Sequence, residues 1–256
     1  LAGLAFAQFP LPTYPQCGEV DRPDLCPNEM DGLWYMLSYV PAAWNVSLST
    51  AEEAGMGSGM WVDRAFRITT GRTDVRIAVL DSGFHWEHES LVRKYALHAG
   101  ELPFPEGETQ HDKNGDGAVT IADYEGDSRL DITAGDDVAD ALLDPSDLIA
   151  TFSDGIDDDA NGYIDDVCGW DFLWNDNNPY DDVRFGHGTG IARDAAAEGN
   201  DGNDIGTCPN CTIVPVRVGD SFVVDGAAFG SGIAYVVDLG VPVAAVAVGG
   251  VTQTTA

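Results

Sequence analysis

The sequence predicts an α/β fold: a parallel sheet with helices on both faces, interrupted by one long acidic insertion. Three observations predict it. Residues 75–80, VRIAVL, are apolar or β-branched except for Arg76, the composition of a strand buried on both faces. Residues 212–218, 226–239 and 243–248 read as strand, helix and strand, a βαβ unit that builds a parallel sheet. Between these blocks, residues 101–184 hold 24 of the 43 acidic residues, against only Lys113, Arg129 and Arg184. Such charge density belongs to a solvated loop.

Composition narrows the classes. The chain has 256 residues, 44% of them hydrophobic, enough for one substantial core. A net charge of −31 argues against nucleic acid and anionic membrane surfaces, and fits cation binding or an extracellular setting. No apolar run reaches the roughly 18 residues of a membrane span. Residues 1–7, LAGLAFA, look like the tail of a secretory signal peptide ending at Ala7, which points to a secreted protein. Residues 8–56 read as an irregular extension.

The elements follow in order. Residues 57–71 predict a short helix feeding the first strand, and residues 87–97 a second, amphipathic helix. The first strand ends in Asp81-Ser82-Gly83, placing a carboxylate where open α/β sheets keep their sites. The same tripeptide also serves as a plain turn or helix cap. In Gly186-His187-Gly188-Thr189 an imidazole lies between glycines, which let backbone approach closely. The Ala-rich run after Thr189 favours a helix, stopped at Gly199 and Asn200. In the helix 226–239, Phe229, Ile233, Val236 and Val237 form the apolar face.

A core strand ending in Asp-Ser-Gly, followed by His-Gly-Thr opening a helix, resembles the subtilisin-like serine proteases (subtilases), whose triad runs Asp, His, Ser along the chain. The resemblance extends over about residues 60–250, with residues 101–184 as an insertion. It implies a three-layer subtilisin-like fold and a serine endopeptidase acting on polypeptide substrates. His187 is then the general base for a serine hydroxyl, and Asp81 holds the imidazole in its tautomer. The main chain of Ala247, Val248 and Gly249 is then the segment that pairs with an extended substrate. The chain departs from the family pattern at Gly190, where many members carry a second histidine, at Arg193 in place of a small glycine, and at Ala247 in place of serine. It stops at Ala256, before the Gly-Thr-Ser region of the family. Residues 57–256 are therefore expected to be a partial catalytic domain within a longer precursor, inactive by itself. An inactive subtilase-like binding module and a calcium-dependent extracellular structural module remain open alternatives.

The insertion carries two cation-loop patterns. Asp112, Asn114, Asp116, the Ala118 carbonyl, Thr120 and Asp123 fall at positions 1, 3, 5, 7, 9 and 12 of an EF-hand-like calcium loop, with Gly117 at the turn. Asp157, Asp159, Asn161, the Tyr163 carbonyl and Asp165 repeat its first half. Position 12 there is Cys168, so that loop is not a complete EF-hand. Calcium is the expected cofactor. Among the cysteines, Cys17 and Cys26 lie in a proline-rich stretch that gains from a staple. Cys208-Pro209-Asn210-Cys211 precedes a strand. A redox pair would instead open a helix, so a structural disulfide is expected. Cys168 is left as a buried free thiol.

Overall fold

The computed structural model describes residues 60–133, 142–199 and 205–250, together with Met36. The proposed signal-peptide tail and Cys17–Cys26 lie outside the described residues. Elements run α1 (Val62–Ala65), β1 (Arg76–Asp81), α2 (Pro145–Phe152), β2 (Trp170–Asp171), α3 (His187–Ala196), β3 (Thr212–Arg217), α4 (Gly226–Asp238) and β4 (Val243–Val246). The four strands form one sheet in the order β2-β3-β1-β4. Every neighbouring pair is parallel.

Alternation along β1 sets the layers. Ile77 and Val79 share one core with Ile213 of β3 and with Ala192 and Ala196 of α3. Ala78 and Leu80 share the other with Val214, Val216 and the α4 residues Tyr235 and Val236. Helices thus cover opposite faces, and a strand buried on both sides needs apolar residues at every position. At the centre of α4, Gly232 has no side chain to separate the helix from the sheet. A Cβ there would lie 3.0 Å from Val218 and 3.1 Å from Leu80. Among the described residues β4 is one of the two edge strands, and Val243 and Val246 are exposed.

Several elements differ from the sequence expectation. Residues 87–97 do not form a regular helix. The chain makes single turns at His88–Lys94 and then runs alongside β3, with Ala96 N–H donating to Ile213 O and Ile213 N–H to Lys94 O, both at 2.7 Å. Pairing with a strand edge outweighs local helical preference here. Val237 points to solvent, and Tyr235 takes its place in the core. Helix α2 lies within the acidic insertion. Its signal was present in Asp144-Pro145-Ser146-Asp147, where Asp144 and Asp147 form a reciprocal capping box around a first-turn proline.

Cys208 and Cys211 are bridged, and Cys168 is free and buried. Burial also raises the Cys168 thiol well above its usual range. A thiol reagent should therefore leave Cys168 unmodified until the chain is unfolded, since the thiolate is the reacting species. Non-reducing peptide mapping should recover the 208–211 bridge, and by the sequence argument a 17–26 bridge. Modification of Cys168 in the native protein at the rate of an exposed thiol would contradict this burial.

Candidate active site

The carboxyl end of β1 and the first turn of α3 converge on one hydrogen bond. His187 Nδ1 lies 2.7 Å from Asp81 Oδ1, although 106 positions separate them. Asp81 is fully buried, while the His187 side chain is 30% exposed. The histidine is thus anchored on its Nδ1 side and partly open to solvent. Asp81 Oδ1 also accepts the Ser82 N–H at 2.7 Å. Asp81 Oδ2 is buried and has no hydrogen-bond partner among the described residues. Among the described residues His187 is thus the one side chain hydrogen-bonded to this carboxylate.

Two glycines permit this approach. A Cβ at Gly188 would sit 2.3 Å from Gly83 O and 3.1 Å from the Asp81 Cβ. At Gly83, where φ is +102°, a Cβ would sit 2.9 Å from the Asp181 Cα. Any side chain would therefore drive the helix away from the strand. Hydroxyls lock the junction: Ser82 Oγ accepts Gly188 N–H at 3.2 Å and Thr189 Oγ1 accepts His85 N–H at 3.0 Å. This makes Ser82 and Thr189 positioning residues that the spacing alone did not single out.

Asp181 was also missed. It is fully buried, and its carboxylate accepts the N–H groups of Phe185 at 3.1 Å and Gly186 at 2.6 Å. Those are the residues that turn the chain into α3, with Gly186 in the left-handed conformation at φ 80°. Its own N–H donates to Phe84 O, and Phe84 N–H to Pro179 O. The segment leading into His187 is thereby stitched to the segment leaving Asp81.

Beside Asp81 on the sheet, Arg217 is paired with it across β1 and β3, and with Asp171 across β3 and β2. The Arg217 side chain is buried. Its guanidinium donates to Asp171 Oδ2 at 3.1 Å, Tyr180 O at 3.0 Å, Asp182 Oδ1 at 2.5 Å and Gly219 O at 3.3 Å. Burial pushes the Asp171 carboxyl up to about 6, against the pull of Arg217 and of the Trp174 and Leu173 N–H groups. Arg217 thus ties the end of β2, the segment 180–182 and the turn after β3 together.

Of the expected substrate-binding residues, Ala247 and Val248 follow β4. Gly249 is already paired: its N–H donates to Phe222 O at 2.8 Å and its carbonyl accepts Val224 N–H at 3.0 Å. The Phe222 ring lies 6.2 Å from the His187 ring and 5.9 Å from that of Phe185. The partly exposed His187 ring is therefore bordered by two aromatic rings, those of Phe185 and Phe222.

The cation-loop residues gather at the other end of β1. In the first loop, Asp112 Oδ1 accepts Gly115 N–H at 2.7 Å and its Oδ2 accepts Gly117 N–H at 3.0 Å. Asp116 Oδ1 accepts Ala118 N–H at 2.9 Å, and Asn114 Oδ1 accepts Asp116 N–H at 2.9 Å. Asp123 closes the loop by accepting from Lys113, Asn114 and Thr120. Burial raises the Asp123 carboxyl, reinforced by the Asp116 and Asp112 charges and opposed by its N–H donors. The Thr73 hydroxyl donates to Asp116 O, which fastens the loop to the chain entering β1.

In the second loop the grouping differs from the sequence expectation. Oxygens of Glu101, Asp157 and Asp159 lie within 4.8 Å of one another, a grouping that would suit a metal ion. Asp165 lies outside that group, with its carboxylate accepting the Asp154 and Gly155 N–H groups, both at 2.9 Å. Asn161 Oδ1 accepts Tyr163 N–H at 2.7 Å. Glu101, more than fifty residues upstream, could not be found from the spacing of one loop. His98 bridges Asp159 at 3.1 Å and Asp166 at 3.0 Å. Burial draws its imidazole down, but the Asp166 hydrogen bond and the Asp166, Asp159 and Glu101 charges outweigh it and raise it.

No helix among the described residues is long and apolar enough to cross a membrane. Comparison with curated proteins gives no match. The family model of the subtilases (Subtilase family) matches residues 72–256. That span begins just before β1 and takes in Asp81, His187, the cation loops and all four strands. On this match, with a parallel α/β sheet whose first strand ends at a histidine-bound aspartate, the chain belongs to the subtilase family.

Proposed function

We propose that this chain is part of a secreted serine endopeptidase that cleaves polypeptides through an Asp81–His187–Ser triad. The 2.7 Å bond between Asp81 and His187 Nδ1 carries the reading. With Nδ1 held as a donor to Asp81, Nε2 is left as the base. It takes the proton from a serine hydroxyl as that oxygen attacks the peptide carbonyl, and returns it to the departing amine. Asp81 fixes the tautomer and stabilises the imidazolium formed in between. In the family order the serine follows the histidine along the chain. Hydrolysis of an unstructured protein by a chain carrying that serine tests the proposal, and binding without cleavage would favour the inactive module.

Calcium fits both acidic loops. Crowded carboxylates, with Asp123 buried and its carboxyl raised, form the oxygen-rich donor set that a hard divalent cation takes. Asp112, Asn114, Asp116, Ala118 O, Thr120 and Asp123 would hold one ion, and Glu101, Asp157 and Asp159 would contribute to a second. Both loops adjoin residues 73–76, and Asp81 lies five residues further along β1, about 17 Å at the rise of a strand. Their role is structural: they brace the entry to β1 and stand far from the reacting bond. Calorimetry on chelator-treated protein should show calcium binding that Asp116→Ala weakens strongly. A matching rise in melting temperature is expected from mass action. An isotherm unchanged by the substitution would remove the first loop from the account.

A further inference from the structure

The strap between β3 and α4 lies where an extended substrate is expected. Its ends are fixed. Gly219 O accepts from buried Arg217, and Asp225 caps α4 by accepting Ala227 and Ala228 N–H at 2.9 and 3.0 Å. The middle is tied differently. Phe222 O and Val224 N–H take up both backbone polar groups of Gly249, making a single parallel bridge between Val223 and Gly249. The Phe222 ring rests among Phe185 and His187, each pair of rings about 6 Å apart. Both phenylalanines remain half open to water, at 44% and 53% exposure. A peptide cannot pair with Gly249 while these two hydrogen bonds stand, since each backbone group is already engaged.

We propose that the strap, residues 219–224, is an internal competitor for the peptide-binding edge, and that favoured substrates displace it by placing a large apolar side chain against Phe185 and His187. The strap imitates its competitor in both respects. Its backbone satisfies the Gly249 donor and acceptor, as an added strand does, and its aromatic ring covers the apolar shelf beside the imidazole. The chemistry of the occupant thus defines that of the ligand: an extended backbone carrying an aromatic or large aliphatic side chain. Opening is a hinge of the strap's middle between two fixed ends, leaving Arg217 and the α4 cap in place. This inference rests on reading Ala247–Gly249 as the peptide edge.

The test measures binding to the chain itself, so it does not depend on turnover. Two capped tetrapeptides that differ at one internal position, phenylalanine against serine, are titrated while the Gly249 amide resonance is followed. Phe222→Ala should tighten binding of the phenylalanine peptide about tenfold, the factor expected if the strap is closed nine-tenths of the time. Val224→Pro, which removes the N–H donated to Gly249, should act in the same direction. The serine peptide should bind more weakly than the phenylalanine peptide to every form. Equal or weaker binding by Phe222→Ala, equal affinity for the two peptides, or no binding by any form would overturn the proposal. The protease reading is scored separately, by turnover in a chain that carries the serine, so each can fail alone.

Discussion

Replacing His187 with alanine is expected to lower kcat/KM for peptide hydrolysis by about 10⁴-fold or more, in a chain that includes the serine, because triad members act as a unit. The circular dichroism spectrum should not change. His187 is the first residue of α3 and partly exposed, so its truncation leaves no large cavity. Asp81→Asn should cause a loss of similar order by another route. An amide can donate to Nδ1, so the opposite tautomer is favoured and Nε2 carries the proton it is meant to accept. Asp81 is fully buried and accepts from Ser82 and His187 through one oxygen, so the isosteric amide fits with little movement. If Asp81→Asn retained more than a tenth of wild-type turnover, the role assigned to the carboxylate would be wrong.

The largest effect on stability is expected at Arg217, not at the catalytic pair. Arg217→Leu should destabilise the fold by about 3–5 kcal/mol, the penalty of leaving a buried charge without its partner. Asp171 bears that penalty, because it is fully buried. Asp182 is half exposed, so water replaces its partner at small cost. The deficit should depend on pH. A carboxyl raised to about 6 is largely neutral at pH 5 and charged at pH 8, and its neutral form needs no cation. Urea unfolding should therefore show a smaller loss at pH 5 than at pH 8. The double variant Arg217→Leu with Asp171→Leu should recover much of the loss, since replacing a buried pair by apolar residues is often neutral. A deficit equal at the two pH values would show that lost packing, and not the unpaired carboxylate, explains the effect.

The sheet was legible because β1, β3 and β4 announce themselves by largely apolar runs, and the α4 span by its apolar spacing and the Gly240 that ends it. The Asp81–His187 contact was legible because glycines flank the histidine and follow the aspartate, and close approach is what glycine provides. Other features depend on residues remote in sequence. Arg217 reads as a charge interrupting a strand until Asp171, Asp182 and Tyr180 O are folded around it. Asp181 looks like one more acid in an acidic insertion, yet it is buried and shapes the turn into α3. Glu101 joins Asp157 and Asp159 from another part of the chain. Residues 87–97 carried helical spacing, but a free edge of β3 captured them, a competition that local pattern does not contain. The pairing of Gly249 with the strap has the same origin, since nothing in Ser221-Phe222-Val223 marks it as a strand.

Reaction with an alkyl fluorophosphonate, which phosphonylates an activated serine hydroxyl as its P–F bond breaks and fluoride leaves, tests the central claim most directly. In a chain carrying the family's serine, the account predicts one label per molecule, located on that serine, and a rate reduced by orders of magnitude in His187→Ala. Absence of labelling in the wild-type protein, or labelling of His187→Ala at the wild-type rate, would contradict it.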